Sequence, residues 1–344
     1  MASLVQFTAP QLVELVECPA QTLPPGHFRV RTWYSGISAG TELTAYNGSN
    51  PYLTRTWDPG RRLFVRGEPT FAYPVRGWGY SEVGEVVEVA DGVEAVRPGQ
   101  VVAGIWGHRS DGVVPANAVT WLPIPAGMAP LHGIFTRVGA IALNAVLAAE
   151  TRLGDVLAVF GQGVIGLLAT HYAQMSGCTV IAVDGIEGRR KAAADMGAQH
   201  VLAPNAGTAL TIRELTAGRG ADVAIDLSGS YHGLREAVRA VGPDSTVVAA
   251  GFYQGAATPL HLGEEFHHNR VRIIASQIGS IPPRLHPRWD RERLQQTVAG
   301  LLAQGKPDVL RLISHRYPLA AASAAYELID QHADQALQVI LEFS

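Results

Sequence analysis

The sequence predicts an α/β protein of two domains, one rich in strands and turns and one built on a parallel sheet covered on both faces. Three observations carry this. At 344 residues the chain is longer than one core comfortably fills. Its first third is rich in Gly, Pro and aromatics, whereas from about Leu131 apolar strands alternate with amphipathic helices. Within that second part FGQGVIGLLA sets Gly161, Gly163 and Gly166 in G-x-G-x-x-G spacing, directly after a strand and opening a helix.

In chain order, HFRVRTWYSGIS and EVGEVVEV alternate like strands, and Pro98-Gly99 marks a tight turn into another. Residues 47–74 have no sustained period and read as a long functional loop. Tyr52, Trp57, Phe64 and Phe71 argue against disorder there. Arg55, Arg61, Arg62 and Arg66 suit either a solvated, ion-paired loop or the anionic part of a ligand. HGIFTRVGAIALNAVLAAE has the spacing of a buried helix. Then come DVLAVF, GVIGLLATHYAQMSG, TVIAVD, GRRKAAADMG, HVLAP, TALTIRELTAG, ADVAIDLSG, YHGLREAVRAVG and STVVAAG, with VRIIASQ as the sixth strand of the sheet. A helix (RERLQQTVAGLLAQG), a strand-like HRYPL, a helix (AASAAYELIDQH) and the strand QALQVILEF close the chain.

Composition narrows the class. Hydrophobic residues at 47% and charged residues at 17% describe a globular chain. A net charge of −3 gives no case for nucleic acid or an anionic membrane as a partner. Cys18 and Cys178 are too few for a disulfide framework or a four-thiolate zinc site, which suits a reducing cytoplasm. The N-terminus reads as lacking a signal peptide, and no apolar run is expected to reach the roughly 20 residues of a membrane span.

In the glycine motif the first glycine makes the turn, the second admits backbone to a pyrophosphate, and the third lets helix and strand pack. TVIAVD ends at Asp184, whose carboxylate suits ribose hydroxyls and repels a 2′-phosphate. The expected cofactor is NAD rather than NADP, although Arg189 and Arg190 lie nearby.

With that motif placed, the chain resembles the medium-chain dehydrogenases/reductases over nearly its whole length. VEVADGVEAVRPGQVVAG, ADVAIDLSGS, STVVAAGFYQG and HRYPLAAASAAYELID carry the resemblance. It implies a chaperonin-10-like, partly open β-barrel catalytic domain (1–135 and 289–344), a Rossmann domain (136–288), and an active site in the cleft between them. It extends the cofactor contacts to Gln162, Val164, Ile165, Ser228, Gly251 and Phe252. GYSEVGEVVEV stands where zinc members carry Gly-His-Glu-x-x-Gly, so Tyr80 replaces a zinc-binding His. SGISAGTELTAYNG puts Ser38 or Ala39 on a second ligand position, and Arg137 falls on or beside the third. These side chains do not suit a metal, and no zinc is expected. The adjacent His267 and His268, whose side chains should point apart, offer no substitute.

Thr41 matches the family's hydroxyl relay, and Glu42 follows where the family has an acidic residue behind the metal. Tyr80 would offer its phenol, with Arg137 lowering its pKa. Plain structural roles stand beside each: Tyr80 filling volume, Thr41 capping backbone, Arg137 pairing with Glu42 or Glu82. His108 reads as a solvated loop histidine. The N-terminal block and Tyr80 resemble the hydroxyethyl bacteriochlorophyllide dehydrogenase branch, from which the Arg- and Trp-rich loop departs.

The resemblance implies a zinc-independent NAD(H) oxidoreductase interconverting a secondary alcohol and a ketone on a bulky polar small molecule. Sugar, cyclitol, tetrapyrrole and acyl substrates all remain open. An NADPH-dependent enone or quinone reductase and a catalytically dead nucleotide-binding protein are the alternatives. Residues 271–279 form an apolar sheet edge that should pair in a homodimer.

Overall fold

A single long strand, His27–Ile37, organises the first of two units, residues 1–137 with 302–344. Register shifts at Arg29/Val30 and Thr32/Tyr34 bend it. It therefore pairs with Glu82–Val89 on one side, and on the other with Asp111–Pro115 near its start and Gln338–Glu342 near its end. Val101–Gly104, Leu122–Pro123 and Ile313–Pro318 complete a seven-stranded sheet. Ala2–Ala9, Leu12–Cys18 and Val75–Arg76 form a second sheet of three. Alternating Phe28 and Val30 turn inward with Val86, Val102, Trp106 and Val114. The curved, branching sheet is the partly open barrel of chaperonin-10 type. The structure is a computed structural model and describes residues 1–343.

The second unit, residues 138–301, is a six-stranded parallel sheet. Its spatial order is His200–Leu202, Thr179–Val183, Val156–Phe160, Ala221–Asp226, Val241–Ala249, Arg272–Ala275. The helices Val164–Met175, Glu187–Asp195, Thr208–Leu215 and Tyr231–Ala240 make the crossovers. Leu157–Phe160, Val180–Val183 and Val223–Asp226 are buried without alternation, as strands covered on both faces must be. This is the Rossmann doubly wound sheet. Its chain order reverses between Val156–Phe160 and Ala221–Asp226, the point where such sheets bind ligands.

Several expectations need correction. The helix Arg291–Ala303 was assigned to the catalytic domain, yet residues up to 301 group with the second unit. The reason is packing: Leu294 is fully buried against Ala140 and Ile281, and Val298 lies where a Cβ on Gly139 would be. Pro130–Ala149 does reach the length and hydropathy of a membrane span, contrary to the expectation; 72% of it is buried within the chain, as in a core helix. The rings of His267 and His268 do not point apart but sit edge to face with centroids 5.5 Å apart.

The long loop is ordered. It contains a short hairpin, Thr56–Asp58 with Leu63–Val65, and a run of aromatic contacts. Trp57, Phe64, Tyr52, Phe71 and Trp78 follow one another with ring centroids 5.0 to 5.7 Å apart. Its four arginines are exposed, and Arg61 pairs with Asp58.

Candidate functional site

The dinucleotide motif has the geometry its spacing requires. Gly161 sits at φ +85°, and a Cβ there would lie 2.6 Å from the Ser228 amide. A Cβ on Gly166 would lie 1.9 Å from the Gly161 carbonyl. Gly163 differs: nothing lies within 4 Å of where its Cβ would be, so no protein contact demands glycine there and the open backbone can meet a ligand. Val164 and Ile165 begin the helix whose free amides face that point. Gln162 works inward, since its Nε2 donates to the Val159 carbonyl, its Oε1 accepts from Thr170, and its amide donates to Asp184 Oδ2 at 2.6 Å. Through these bonds Gln162 ties the turn to Asp184 and to the strand before it.

Asp184 directly follows the second strand and also accepts from the Ile186 amide at 2.8 Å. It lines a cavity of about 410 Å³ with Gly161, Asn205, Ser228, His232 and Arg235. Arg190 donates to the carbonyls of Asp184 and Gly185, and Arg189 lies half-buried on the same helix. At the switch point the buried Asp226 accepts from the Ser228 amide at 2.9 Å and from Tyr253 Oη at 2.8 Å. Burial pushes its carboxyl up. Tyr253 stacks on Tyr231, fixing the segment that holds Gly251 and the exposed Phe252.

In the first unit the predicted catalytic residues come together. Thr41 and Glu42 lie on a short helix, Ala39–Tyr46, not at a strand end, and Ser38 is its N-cap. Glu42 Oε1 accepts the Ser38 amide at 2.9 Å, satisfying the helix start from the side chain one turn on. The Ser38 hydroxyl is thus released from capping and bonds to Tyr80 Oη. Thr41 Oγ1 is 3.5 Å from the same oxygen. The Tyr80 phenol is pushed up by burial, and the hydrogen bonds of Ser38 and Thr41 and the Arg137 charge do not offset this. Arg137 does pull the phenol down, as expected, but burial outweighs it and the net shift is upward. Tyr80 is suited to donate a proton in a hydrogen bond rather than to act as a base.

Behind this cluster lies a buried polar network that the sequence did not reveal. His108 is not solvated but fully buried, with Nε2 2.7 Å from Glu42 Oε2 and Nδ1 2.5 Å from Ser35 Oγ. Tyr326, also buried, donates to Glu42 Oε2. Ser35 donates to Glu82 Oε1 at 3.3 Å, and Glu82 also accepts the amides of Ser81 and Trp106. Burial pushes the Glu82 carboxyl up, against the pull of His108 and the amides. The only sequence signal for Tyr326 was a lone phenol among the buried Ala322, Ala325 and Ile329 of one helix face. His108 had none beyond the glycine before it. Among the described residues, no group of three His, Cys, Asp or Glu side chains is placed to hold a metal ion.

A zinc-binding dehydrogenase family model matches residues 164–296. D-guloside 3-dehydrogenase of Escherichia coli K12 is 28% identical over 348 residues, 98% of each chain. An alcohol dehydrogenase of Cupriavidus necator is 27% identical over 382 residues, 99% of each. The chain belongs to the medium-chain dehydrogenase/reductase superfamily. Among solved structures of like fold, one described as a short chain alcohol dehydrogenase of E. coli CFT073, in complex with NADH, superposes with a TM-score of 0.78 at 21% identity, covering 99% of each chain. As a medium-chain dehydrogenase/reductase, the protein is an oxidoreductase built for a nicotinamide cofactor. The matched segment lies within the cofactor-binding half and includes none of Ser38, Tyr80 and Arg137. The family model's name therefore carries no information about metal at those positions.

Proposed function

We propose that this medium-chain dehydrogenase/reductase is a zinc-independent, NAD(H)-dependent enzyme that interconverts a secondary alcohol and a ketone on a bulky polar substrate. The observation that carries this is that Ser38 and Tyr80, at positions the family gives to zinc ligands, bond to each other through their hydroxyls beside the relay hydroxyl of Thr41. Zinc takes thiolate, imidazole and carboxylate ligands, and three hydroxyls beside a guanidinium do not fit it. The same groups do fit a substrate oxygen that gains negative charge.

A bound nicotinamide supplies the redox chemistry. The chain's own residues bind, orient and manage one proton. Gly161, Gly163 and Gly166 with the helix amides would hold the pyrophosphate, and Asp184 the ribose. Tyr80, held protonated by its raised pKa, donates to the substrate oxygen. Ser38 and Thr41, each donor and acceptor at once, can relay the proton that an alcohol yields or a ketone takes, accepting it on one side while passing their own on toward solvent. Arg137 adds positive charge nearby.

The D-guloside activity of the relative supports a polyol or glycoside substrate, and the arginine hairpin supports a polar or anionic portion. We further propose a cytoplasmic homodimer joined at Arg272–Ala275, an edge strand on which Ile274 is 37% exposed. A monomer in light scattering would remove that part.

The functional test measures metal content and turnover of chelator-dialysed protein, with NAD and panels of polyols, glycosides and enones. Metal-free protein that oxidises a secondary alcohol is expected. Stoichiometric zinc whose removal abolishes turnover, or turnover confined to carbon–carbon double bonds, would overturn the proposal.

A further inference from the structure

We propose that His108 is the positioning residue of the hydroxyl site: bonded at both ring nitrogens and packed against Gly79, it locks Glu42 against the Ser38 amide and so fixes where Ser38 meets Tyr80. This rests on the proposed role of Tyr80 as donor to the substrate oxygen.

Proton counting gives the state of the ring. A carboxylate only accepts, so Nε2 must carry the proton of the 2.7 Å bond to Glu42. We assign the one proton of Ser35 to its 3.3 Å bond to Glu82, which makes Nδ1 the donor in the 2.5 Å contact with Ser35 Oγ. Both nitrogens are therefore protonated and His108 is an imidazolium. The charged groups facing it are Glu42 on the helix Ala39–Tyr46 and Glu82 on the strand Glu82–Val89; the Tyr326 ring meets it edge-on at 6.3 Å. Burial pushes its pKa down, but the charges of Glu42 and Glu82 and the bond to Glu42 outweigh this and leave it raised.

Gly79 supplies independent geometry. It sits at φ +133°, and a Cβ there would lie 2.8 Å from His108 Nε2, so the ring fills the space of a side chain on the residue before Tyr80. His108 thus braces the site twice, through Glu42 to Ser38 and through Gly79 to Tyr80.

The test begins with the unmodified protein carrying ¹⁵N-histidine and ¹³Cζ-tyrosine. Both ring nitrogens of His108 should be protonated at pH 7, and a neutral ring would overturn the proposal. In His108→Gln and His108→Leu the Tyr80 ¹³Cζ signal should move. Using the best alcohol of the panel, kcat should fall about 100-fold with KM nearly unchanged, as for a misplaced reacting group, and Gln should retain more than Leu. NADH affinity by fluorescence titration should not change. Gly79→Ala, which presses on the ring from the other side, should move the same signal. A lower melting temperature with Tyr80 signal and kcat both unmoved would make His108 merely structural and sink the inference. If Tyr80→Phe keeps full turnover while His108→Gln still moves the Tyr80 signal, the role of Tyr80 fails and the positioning stands.

Discussion

Replacing Asp184 with Ser should have two separable effects. The carboxylate accepts the Gln162 amide at 2.6 Å and the Ile186 amide at 2.8 Å, and the residue is only 9% exposed. A serine hydroxyl is shorter and reaches one of these donors at most. Leaving a buried amide unpaired, together with losing a charge-assisted bond, costs about 2–4 kcal/mol. That corresponds to a fall in Tm of roughly 5–15 °C for a unit of this size. The second effect is on cofactor choice. Without the carboxylate the ribose loses an acceptor, and a 2′-phosphate loses a repelling charge. Arg190 is already tied to the carbonyls of Asp184 and Gly185, bonds that the substitution leaves intact, so it is not released to bind phosphate. The preference should therefore shift toward NADPH by about 10-fold, the lower end of what removing such a charge gives. Asp184→Asn, which keeps the volume and one acceptor oxygen, should lose less stability. Fluorescence titration with NADH and NADPH, beside thermal melts, reads both effects. Tighter binding of NADPH than NADH by the unmodified protein would refute the role given to Asp184, as would a serine variant with unchanged Tm.

Tyr80→Phe should lower kcat by about 10²–10³ with little change in KM, since it removes a donor to a developing oxyanion; turnover within threefold of the parent counts against that. Gly163→Ala should fold normally but bind NADH more weakly, whereas Gly166→Ala should be destabilised, because its Cβ would lie 1.9 Å from the Gly161 carbonyl; equal melting temperatures would refute the contrast. Stability should fall as pH rises above about 6.5, because the raised His108 contributes stability that is full below its unfolded pKa and lost through its folded one. The raised Glu82 carboxyl acts in the same direction from about pH 4.5 upward, and a Tm that climbs between pH 6.5 and 9 would contradict the His108 contribution.

What could be read from the sequence depended on how local its cause was. The strand from Val156, the glycine spacing after it and Asp184 follow one another directly in sequence, and each is fixed by backbone geometry at its own position. Tyr80 and Ser38 could be paired only through the family resemblance, being 42 residues apart. His108 and Tyr326 reach Glu42 from 66 and 284 residues away, and no local pattern records such contacts. The direction of the Tyr80 shift was misjudged for a related reason. The family resemblance places an arginine nearby, but the burial that outweighs it is a sum over the whole fold. The helix Arg291–Ala303 was assigned to the wrong unit because its apolar face says that it packs, not on what.

Under the zinc-independent proposal, the buried network gives a physical reason why hydroxyls can serve in place of a metal. Glu42 and Glu82 are fully buried carboxylates in one network, and two such charges would repel and resist desolvation if left alone. The His108 imidazolium between them supplies the compensating positive charge from within the chain. With that charge in place, Glu42 is free to hold a neutral partner, the Ser38 amide, instead of orienting a metal ligand. The site in front is then left with neutral donors and the Arg137 charge, an arrangement that polarises an oxygen without binding it as strongly as a metal would. Under the zinc-independent proposal, the buried histidine and the hydroxyls in front of it therefore act as one arrangement. Restoring His at position 80 alone should not create a zinc site, because Ser38, Ala39 and Arg137 would still offer neither thiolate nor carboxylate.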